Sequence, residues 1–139
     1  RVDPRGQAIG ITAHLLRRLL VGGDADGLAA WVDAWVSAHP AFRFRPYPGR
    51  AGGYVVDTVQ TVLHCFTTHR DFESAVVAAV NQGDDADTTG ALVGMLAGAR
   101  CGAGALPAHW LRRLPRDVVR DITAQASALV ALSLQTPDA

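Results

Sequence analysis

Three carboxylates and one hydroxyl lie close together in a short acidic segment, Asn81 to Gly90. They belong to Asp84, Asp85, Asp87 and Thr88. Carboxylates this close repel one another, and a divalent cation is the simplest way to keep them all ionised at pH 7. Asp85, Asp87 and Thr88 would supply the oxygen ligands that Mg²⁺ and Mn²⁺ prefer. The spacing therefore predicts a hard-cation site where a loop meets a helix.

The acidic segment also has a purely structural interpretation. Asp and Thr are favoured at the N-cap of a helix, and acidic side chains in a first helical turn are stabilised by the macrodipole. Capping needs only one such residue, so three acids in four positions favour the metal site. The spacing alone leaves both interpretations open.

The elements that must position these residues are predicted to be helices. Apolar residues recur at helical spacing along almost the whole chain, and no stretch alternates with the period of a strand. We predict an all-α fold with helices at 5–21, 26–38, 53–69, 71–81, 87–101 and 115–134, and a short turn near 107–113. The acidic segment then leads directly into the helix at 87–101.

Composition narrows the class of protein. The 139 residues are 49% hydrophobic and carry a formal net charge of +0, which is typical of one globular domain or part of one. No charge asymmetry indicates nucleic acid, and no uninterrupted apolar run is long enough to span a bilayer. Cys65 and Cys101 are isolated in apolar helical patterns, which favours buried thiols in a reducing compartment. We expect a cytoplasmic protein with no nucleic-acid partner and no membrane insertion.

A loop rich in proline and glycine, Ala41 to Gly53, mixes three arginines with three aromatic residues. Its arginines could bind phosphate oxygens, and the pair Gly52-Gly53 would let the backbone approach a ligand at the start of the next helix. Alternatively, the aromatic side chains only pin a surface connection to the core. The following helix adds a polar stripe that could face a cleft, formed by Asp57, Gln60, Thr61 and His64.

Three spaced blocks of sequence carry a resemblance to a known family. They are PYPGRAGGYVVDTVQTVLHCF at 46–66, VNQGDDADTTGALVGMLAGA at 80–99 and LPAHW at 106–110. In this order they resemble the C-terminal half of the ADP-ribosylglycohydrolase family, and the similarity runs from about Pro4 to the end. The first two blocks are most similar to the dinitrogenase reductase-activating glycohydrolases, which remove ADP-ribose from an arginine of the nitrogenase iron protein.

The resemblance implies an orthogonal helical bundle with two divalent ions, Mg²⁺ or Mn²⁺, in a central cleft. It implies hydrolysis of the N-glycosidic bond between ADP-ribose and an arginine of a protein substrate. Carried over position by position, it makes Asp85, Asp87 and Thr88 metal ligands and Gly52, Gly53 and Tyr54 substrate-lining residues. The catalytic acid and the other metal ligands belong to the family's N-terminal half, so the catalytic residues of this chain are unknown.

One position departs from the family pattern, because Asp84 stands where the family has glycine. Aspartate tolerates a left-handed backbone better than most residues, so we expect the turn to survive. The extra negative charge beside the metal ligands is expected to alter metal affinity.

The chain begins with Arg1, and its only methionine is Met95. We therefore expect residues 1–139 to be a processed chain or a piece, the C-terminal part of one family domain that supplies half of the metal site. Such a chain would be a poor catalyst without its N-terminal half as partner. The alternatives are a non-catalytic helical module that binds ADP-ribose or a partner protein, and a purely structural helical domain.

Overall fold

The structure, a computed structural model that describes residues 3–20 and 25–135, contains seven α-helices within those ranges and no strand. They are α1 (Pro4–Leu20), α2 (Ala25–Ala38), α3 (Val55–Thr68), α4 (Phe72–Val80), α5 (Ala86–Cys101), α6 (Ala108–Leu111) and α7 (Arg116–Gln135), with 3₁₀ turns at Pro40–Phe42 and Ala103–Ala105. The predicted all-α fold is confirmed, and the described helix ends differ from the predicted ones by at most two residues. Position 21 of the first predicted helix lies outside the described residues.

Residue contacts divide the chain into two compact units, Arg1–Ala105 and Leu106–Ala139. The first contains α1 to α5, and the second contains α6 and α7. The candidate site residues all lie in the first unit. Within the described ranges, no helix is both long and apolar enough to cross a membrane.

Helix α3 is the centre of the first unit and contacts α1, α4 and α5. Its buried residues lie on several faces, which a helix needs when neighbours surround it. Val59, Val62, Leu63 and Phe66 are each at most 3% exposed. The apolar, β-branched sequence of this segment therefore forms a core helix that fixes the positions of its neighbours.

Helices α4 and α5 form an antiparallel pair held close by glycines. A Cβ atom built on Gly90 would lie 2.9 Å from Val80 Cγ2, and one on Gly98 would lie 3.7 Å from Phe72 Cε2. Gly94 faces Val76 between these two points, also at 3.7 Å. Spacing of four residues puts the three glycines on one face of α5, so that α4 packs directly against its backbone. The turn between the two helices contains Asp84 and Asp85.

Helices α3 and α5 run parallel, so their N-termini lie at the same end. At that end the Asp85 backbone N–H donates to the Ala51 carbonyl at 3.1 Å. At the other end Arg100 of α5 donates to the carbonyls of Phe66 and His69, at 2.9 Å and 2.8 Å. These contacts tie the loop before α3 to the start of α5 and the end of α3 to the end of α5.

The aromatic side chains of the loop Ala41–Gly53 pin it to the core. Phe42 is fully buried and Phe44 is 2% exposed. Tyr47 stacks on His64 with ring centroids 4.3 Å apart and shares a 2.9 Å hydrogen bond with the Thr61 hydroxyl. Burial is the largest cause that raises the pKa of Tyr47. The structure thus supports the pinning interpretation for these aromatics.

Most of the polar stripe on α3 holds this loop. Gln60 donates to the carbonyls of Ala41 and Arg43, at 3.1 Å and 2.8 Å. Thr61 is fully buried, and its hydroxyl lies 2.8 Å from the Arg50 carbonyl. Backbone carbonyls of this loop thus find side-chain donors on α3. Asp57 alone turns towards the acidic segment.

Candidate metal and substrate site

The predicted metal-ligating residues lie at the N-terminus of α5. Asp85 occupies the N-cap position, and Asp87 and Thr88 follow in the first turn. The Thr89 hydroxyl, fully buried, donates back to the Asp85 carbonyl at 3.0 Å. Together with the bond from Asp85 N–H to Ala51, this fixes the backbone of Asp85 on both sides.

The structure brings the glycine pair before α3 next to these acids. A Cβ atom at Gly53 would lie 3.6 Å from Asp85 Oδ2. One at Gly52 would lie 3.8 Å from Asp57 Oδ2 and 4.0 Å from Asp84 Oδ2. The absence of side chains at both positions leaves the backbone open towards the carboxylates. We call Asp57, Asp84, Asp85 and Asp87 the acidic cluster.

Asp85 does not use its carboxylate as a helix cap. Its side chain makes no capping hydrogen bond. Asp71, the N-cap of α4, does the opposite: its carboxylate accepts from the Ser74 N–H at 2.8 Å and from the Ser74 hydroxyl. These hydrogen bonds lower the pKa of Asp71. The comparison weakens the capping interpretation for Asp85, because the chain shows a normal Asp cap one helix earlier.

Asp87 differs from Asp85 in that its carboxylate accepts a backbone hydrogen bond. The Thr88 backbone N–H donates to Asp87 Oδ1 at 3.0 Å. This bond is the largest cause that lowers the pKa of Asp87, and the Asp85 carboxyl is the next.

The three predicted ligands are of the type that a hard cation prefers, but they are too few to hold it alone. Asp85, Asp87 and Thr88 offer only oxygen atoms, which suits Mg²⁺ or Mn²⁺. Among the described residues, however, no group of three or more Asp, Glu, His or Cys side chains converges as a metal site. The metal-binding role of the three residues therefore stays a prediction, and it requires further ligands.

The turn before Asp85 has the left-handed backbone that the sequence led us to expect. Asp84 has φ of 54° and Gly83 has φ of 75°. Asp84 is the sole non-glycine residue with positive φ in the described ranges. Aspartate can adopt this conformation at lower cost than most residues, since its short polar side chain hydrogen-bonds locally. The left-handed turn that presents Asp85 thus forms with aspartate at position 84.

A cleft of about 330 Å³ borders the same glycine pair. It is lined by Asp3, Pro4 and Arg5 from the start of α1 and by Gly53, Tyr54 and Val55 from the start of α3. The Tyr54 side chain is 60% exposed. The N-termini of α1 and α3 border this cleft, and Asp85, the N-cap of α5, lies beside Gly53. Their dipoles make the region attractive to anions, while the acidic cluster makes one edge attractive to cations.

Two contributors to this region, Asp57 and Arg5, were not predicted from the sequence. Asp57 was assigned to a polar stripe, although its spacing of four residues from Gly53 would have placed it over the same helix end. Arg5 gave no signal, because only the tertiary fold brings α1 next to residues some fifty positions away. The predicted substrate residues Gly52, Gly53 and Tyr54 are together and exposed or half-buried. Their role in binding stays a prediction.

Comparison with known proteins supports the resemblance. The sequence profile of the family described as ADP-ribosylglycohydrolase matches residues 3–138. The chain is 50% identical over 98 residues to the ADP-ribosyl-[dinitrogen reductase] glycohydrolase of Rhodospirillum rubrum. That alignment covers 70% of this chain and 33% of the relative.

Two further relatives are the proteins named ADP-ribosylarginine hydrolase Tri1 of Pseudomonas putida (strain GB-1) and Serratia proteamaculans (strain 568). Each is 38% identical over 65 residues, which cover 47% of this chain and 18% of the relative. The aligned part of the chain therefore spans a third or less of the length of these curated relatives.

Proposed function

This chain belongs to the ADP-ribosylglycohydrolase family, and on that premise we propose that it is part of a hydrolase that removes ADP-ribose from arginine side chains of proteins. Residues 1–139 would supply one part of a binuclear divalent metal site and part of the substrate cleft. A further segment would supply the remaining metal ligands and the catalytic acid.

One observation carries the proposal: the backbone of Ala51–Gly53 and the carboxylate of Asp85 lie side by side. The hydrogen bond from Asp85 N–H to Ala51 and the short approach of Asp85 Oδ2 to Gly53 connect two segments more than thirty residues apart. A hydrolase must hold the sugar near the metal site while it grips the rest of the nucleotide. The open glycine backbone, with Tyr54 at the cleft beside it, supports a role in that grip.

In this proposal Asp85, Asp87 and Thr88 hold the divalent ions, Mg²⁺ or Mn²⁺, together with ligands from the further segment. When bound, such a cation would act as a Lewis acid for hydrolysis of the N-glycosidic bond. The chain's own contribution is positional. Backbone bonds on both sides of Asp85 fix its main chain, and its carboxylate oxygens are not used for capping.

We propose dinitrogen reductase as the protein substrate. The 50% identity to the Rhodospirillum rubrum relative exceeds the 38% identity to the two arginine hydrolases, and it covers more of the chain. A cytoplasmic location would follow from such a substrate. Release of ADP-ribose from modified dinitrogen reductase, measured beside another arginine-modified protein, separates this substrate from the wider class.

The test of the proposed activity uses the chain joined to a segment that carries the remaining ligands. We expect manganese-dependent release of ADP-ribose, with at least a hundredfold loss in Asp85→Asn, because a removed metal ligand costs both affinity and charge. Asp71→Asn is the matched control, since Asp71 is also an N-cap aspartate but lies at α4. Without the added segment we expect weak manganese binding and no appreciable release.

Two outcomes would refute parts of this proposal. Full activity of residues 1–139 alone, unaffected by Asp85→Asn, would refute both the shared site and the role of Asp85. Binding of ADP-ribose without release in any assembly would favour the non-catalytic binding module instead. Urea denaturation of the Asp85→Asn chain separates a folding defect from loss of a ligand.

A further inference from the structure

The opposite end of α3 and α5 contains a second cavity, of about 100 Å³, whose lining is basic. Three arginines contribute to the lining: Arg45 from the loop, Arg70 from the turn after α3 and Arg100 from α5. The other lining residues are Leu28, Ala29, Val32, Phe66 and Thr67. Within the described part of the chain, this lining thus has three positive side chains and no acidic one.

The cavity has a rigid apolar floor. Leu28 is 6% exposed, Val32 is 1% exposed and Phe66 is 2% exposed. The guanidinium of Arg100 lies over the Phe66 ring at 4.3 Å from its centroid. Apolar walls lower the local dielectric and strengthen the attraction between a guanidinium and any anion that enters.

Arg100 is fixed in place and keeps an unused donor. Its two terminal nitrogens donate to the carbonyls of Phe66 and His69. Its Nε atom is buried and has no hydrogen-bond partner among the described residues. A buried N–H without a partner is costly, so it calls for a ligand or a water molecule.

The remaining two arginines complete the charge of the cavity. Arg45 Nη1 forms a 2.9 Å salt bridge with Asp33 Oδ1, and both side chains are more than half exposed. Asp33 does not line the cavity, so it competes with any anion in the cavity for the Arg45 guanidinium. Arg70 is exposed at the rim. Surplus positive charge in a small cavity of this kind matches an oxyanion with two negative charges.

We propose that this cavity is a binding site for a phosphate-sized oxyanion, separate from the acidic cluster. The 14 residues of α3 separate the two sites by about 20 Å at 1.5 Å per residue. The bound group is a phosphate dianion, free or at the end of a small molecule, because three guanidinium charges and the unpaired Nε–H of Arg100 favour an oxyanion. This inference rests only on the basic cavity and stands if the proposed hydrolase activity fails.

The experiment titrates inorganic phosphate into the full chain in EDTA, which removes metal ions from the acidic cluster. Nitrogen-15 NMR follows the Nε–H signals of the arginines together with the backbone amides. We expect a saturable shift of the Arg100 Nε–H signal. Arg70→Gln should weaken phosphate binding at least tenfold, because a charge-assisted hydrogen bond is lost.

Two matched variants sharpen the result. Asp33→Asn should strengthen phosphate binding severalfold, since it frees Arg45 from its salt bridge. Arg17→Gln makes the same charge change at an exposed position of α1 outside the cavity and should leave the affinity unchanged. Glycerol phosphate, titrated in parallel, distinguishes a free phosphate from a phosphate at the end of a molecule.

The proposal is overturned if Arg70→Gln binds phosphate like the parent chain, or if Arg17→Gln weakens binding as much as Arg70→Gln. It is also overturned if phosphate shifts no signal from the cavity residues. Backbone amide spectra of each variant show whether it is folded. If Arg70→Gln is unfolded, Asp33→Asn decides alone: stronger binding supports the site and unchanged binding overturns it.

Discussion

The two ends of the parallel helices α3 and α5 carry opposite charges and use them differently. At the N-terminal end the acidic cluster faces exposed glycine backbone, and Asp85 has no capping bond. At the C-terminal end three arginines line a cavity, and Arg100 is already bonded to two helix carbonyls. Helix dipoles favour acids at the first end and bases at the second, so both placements suit the fold.

The difference lies in how much of each charged group is left for a ligand. Arg100 is mainly a structural residue, because it closes the end of α3. Asp85 contributes little to its own helix and is held there by backbone bonds instead. Charge at a helix end is therefore weak evidence of function until its hydrogen-bond partners are known.

The largest expected effect on stability comes from Arg100→Gln, at the C-terminal end of α3 and α5, which we call the basic end. The substitution removes two charge-assisted bonds to the Phe66 and His69 carbonyls and the contact over the Phe66 ring. We expect the free energy of unfolding to fall by about 3 kcal/mol. Urea denaturation measures it, with Arg17→Gln as the exposed control. A loss within 0.5 kcal/mol, the usual range for surface changes, would show that Arg100 does not hold the helix end.

A smaller effect is expected from Gly90→Ala, which strains α5 near the acidic end. The new Cβ would meet Val80 Cγ2 at 2.9 Å, so either the side chain or the helix must shift. We expect a destabilisation of about 1–3 kcal/mol. Gly98→Ala is the matched change near the basic end, where the contact with Phe72 is 3.7 Å.

Gly98→Ala should leave stability unchanged or raise it by up to about 1 kcal/mol, because alanine has the higher helix propensity. Thermal and urea denaturation compare the two variants directly. If both alanine variants were equally stable, α4 and α5 would not approach more closely at Gly90 than at Gly98.

A finer test concerns the left-handed residue of the acidic cluster. Asp84→Gly removes a side chain from a position with φ of 54°. Relief of backbone strain and the greater freedom of the unfolded chain oppose each other, so we expect a stability change below about 1 kcal/mol. Manganese affinity, measured by calorimetry on the chain joined to the further segment, should change more than stability does. If stability changed more than manganese affinity, Asp84 would have a role in the turn only.

The smallest effect is a pH dependence at the basic end. Burial, followed by the charges of His69 and Arg45, lowers the pKa of His64. The folded chain therefore binds the proton less readily than the unfolded chain, whose histidine titrates near about 6.5. This contribution to stability is complete above that pH and is lost as the pH falls towards the folded pKa.

Denaturation at a series of pH values measures this dependence. We expect His64→Gln to flatten the decline in stability below about pH 6.5. Arg45→Gln should move the NMR titration of His64 upwards, since it removes one of the positive charges. If Arg45→Gln left the titration of His64 unchanged, the charge of Arg45 would not contribute to the lowered pKa of His64.

The sequence by itself determined the helices and the acidic segment. Helical periodicity and the breaks at glycine and proline are local properties, so the predicted helix ends lie within two residues of the observed ones. The position of Asp85, Asp87 and Thr88 at the start of a helix was also readable, since acids and Thr favour that end. The spaced blocks identified the family, which the profile match confirms.

Only the tertiary structure decided which side chains meet. Helical periodicity shows that Gln60 and Thr61 share a side with Asp57, yet it does not show that the first two hold a loop while Asp57 reaches Gly52. Arg45, Arg70 and Arg100 come from three separate segments, so no local pattern joins them into one cavity. Local spacing fixes the face of a helix, whereas the partner of that face depends on packing between segments distant in the chain.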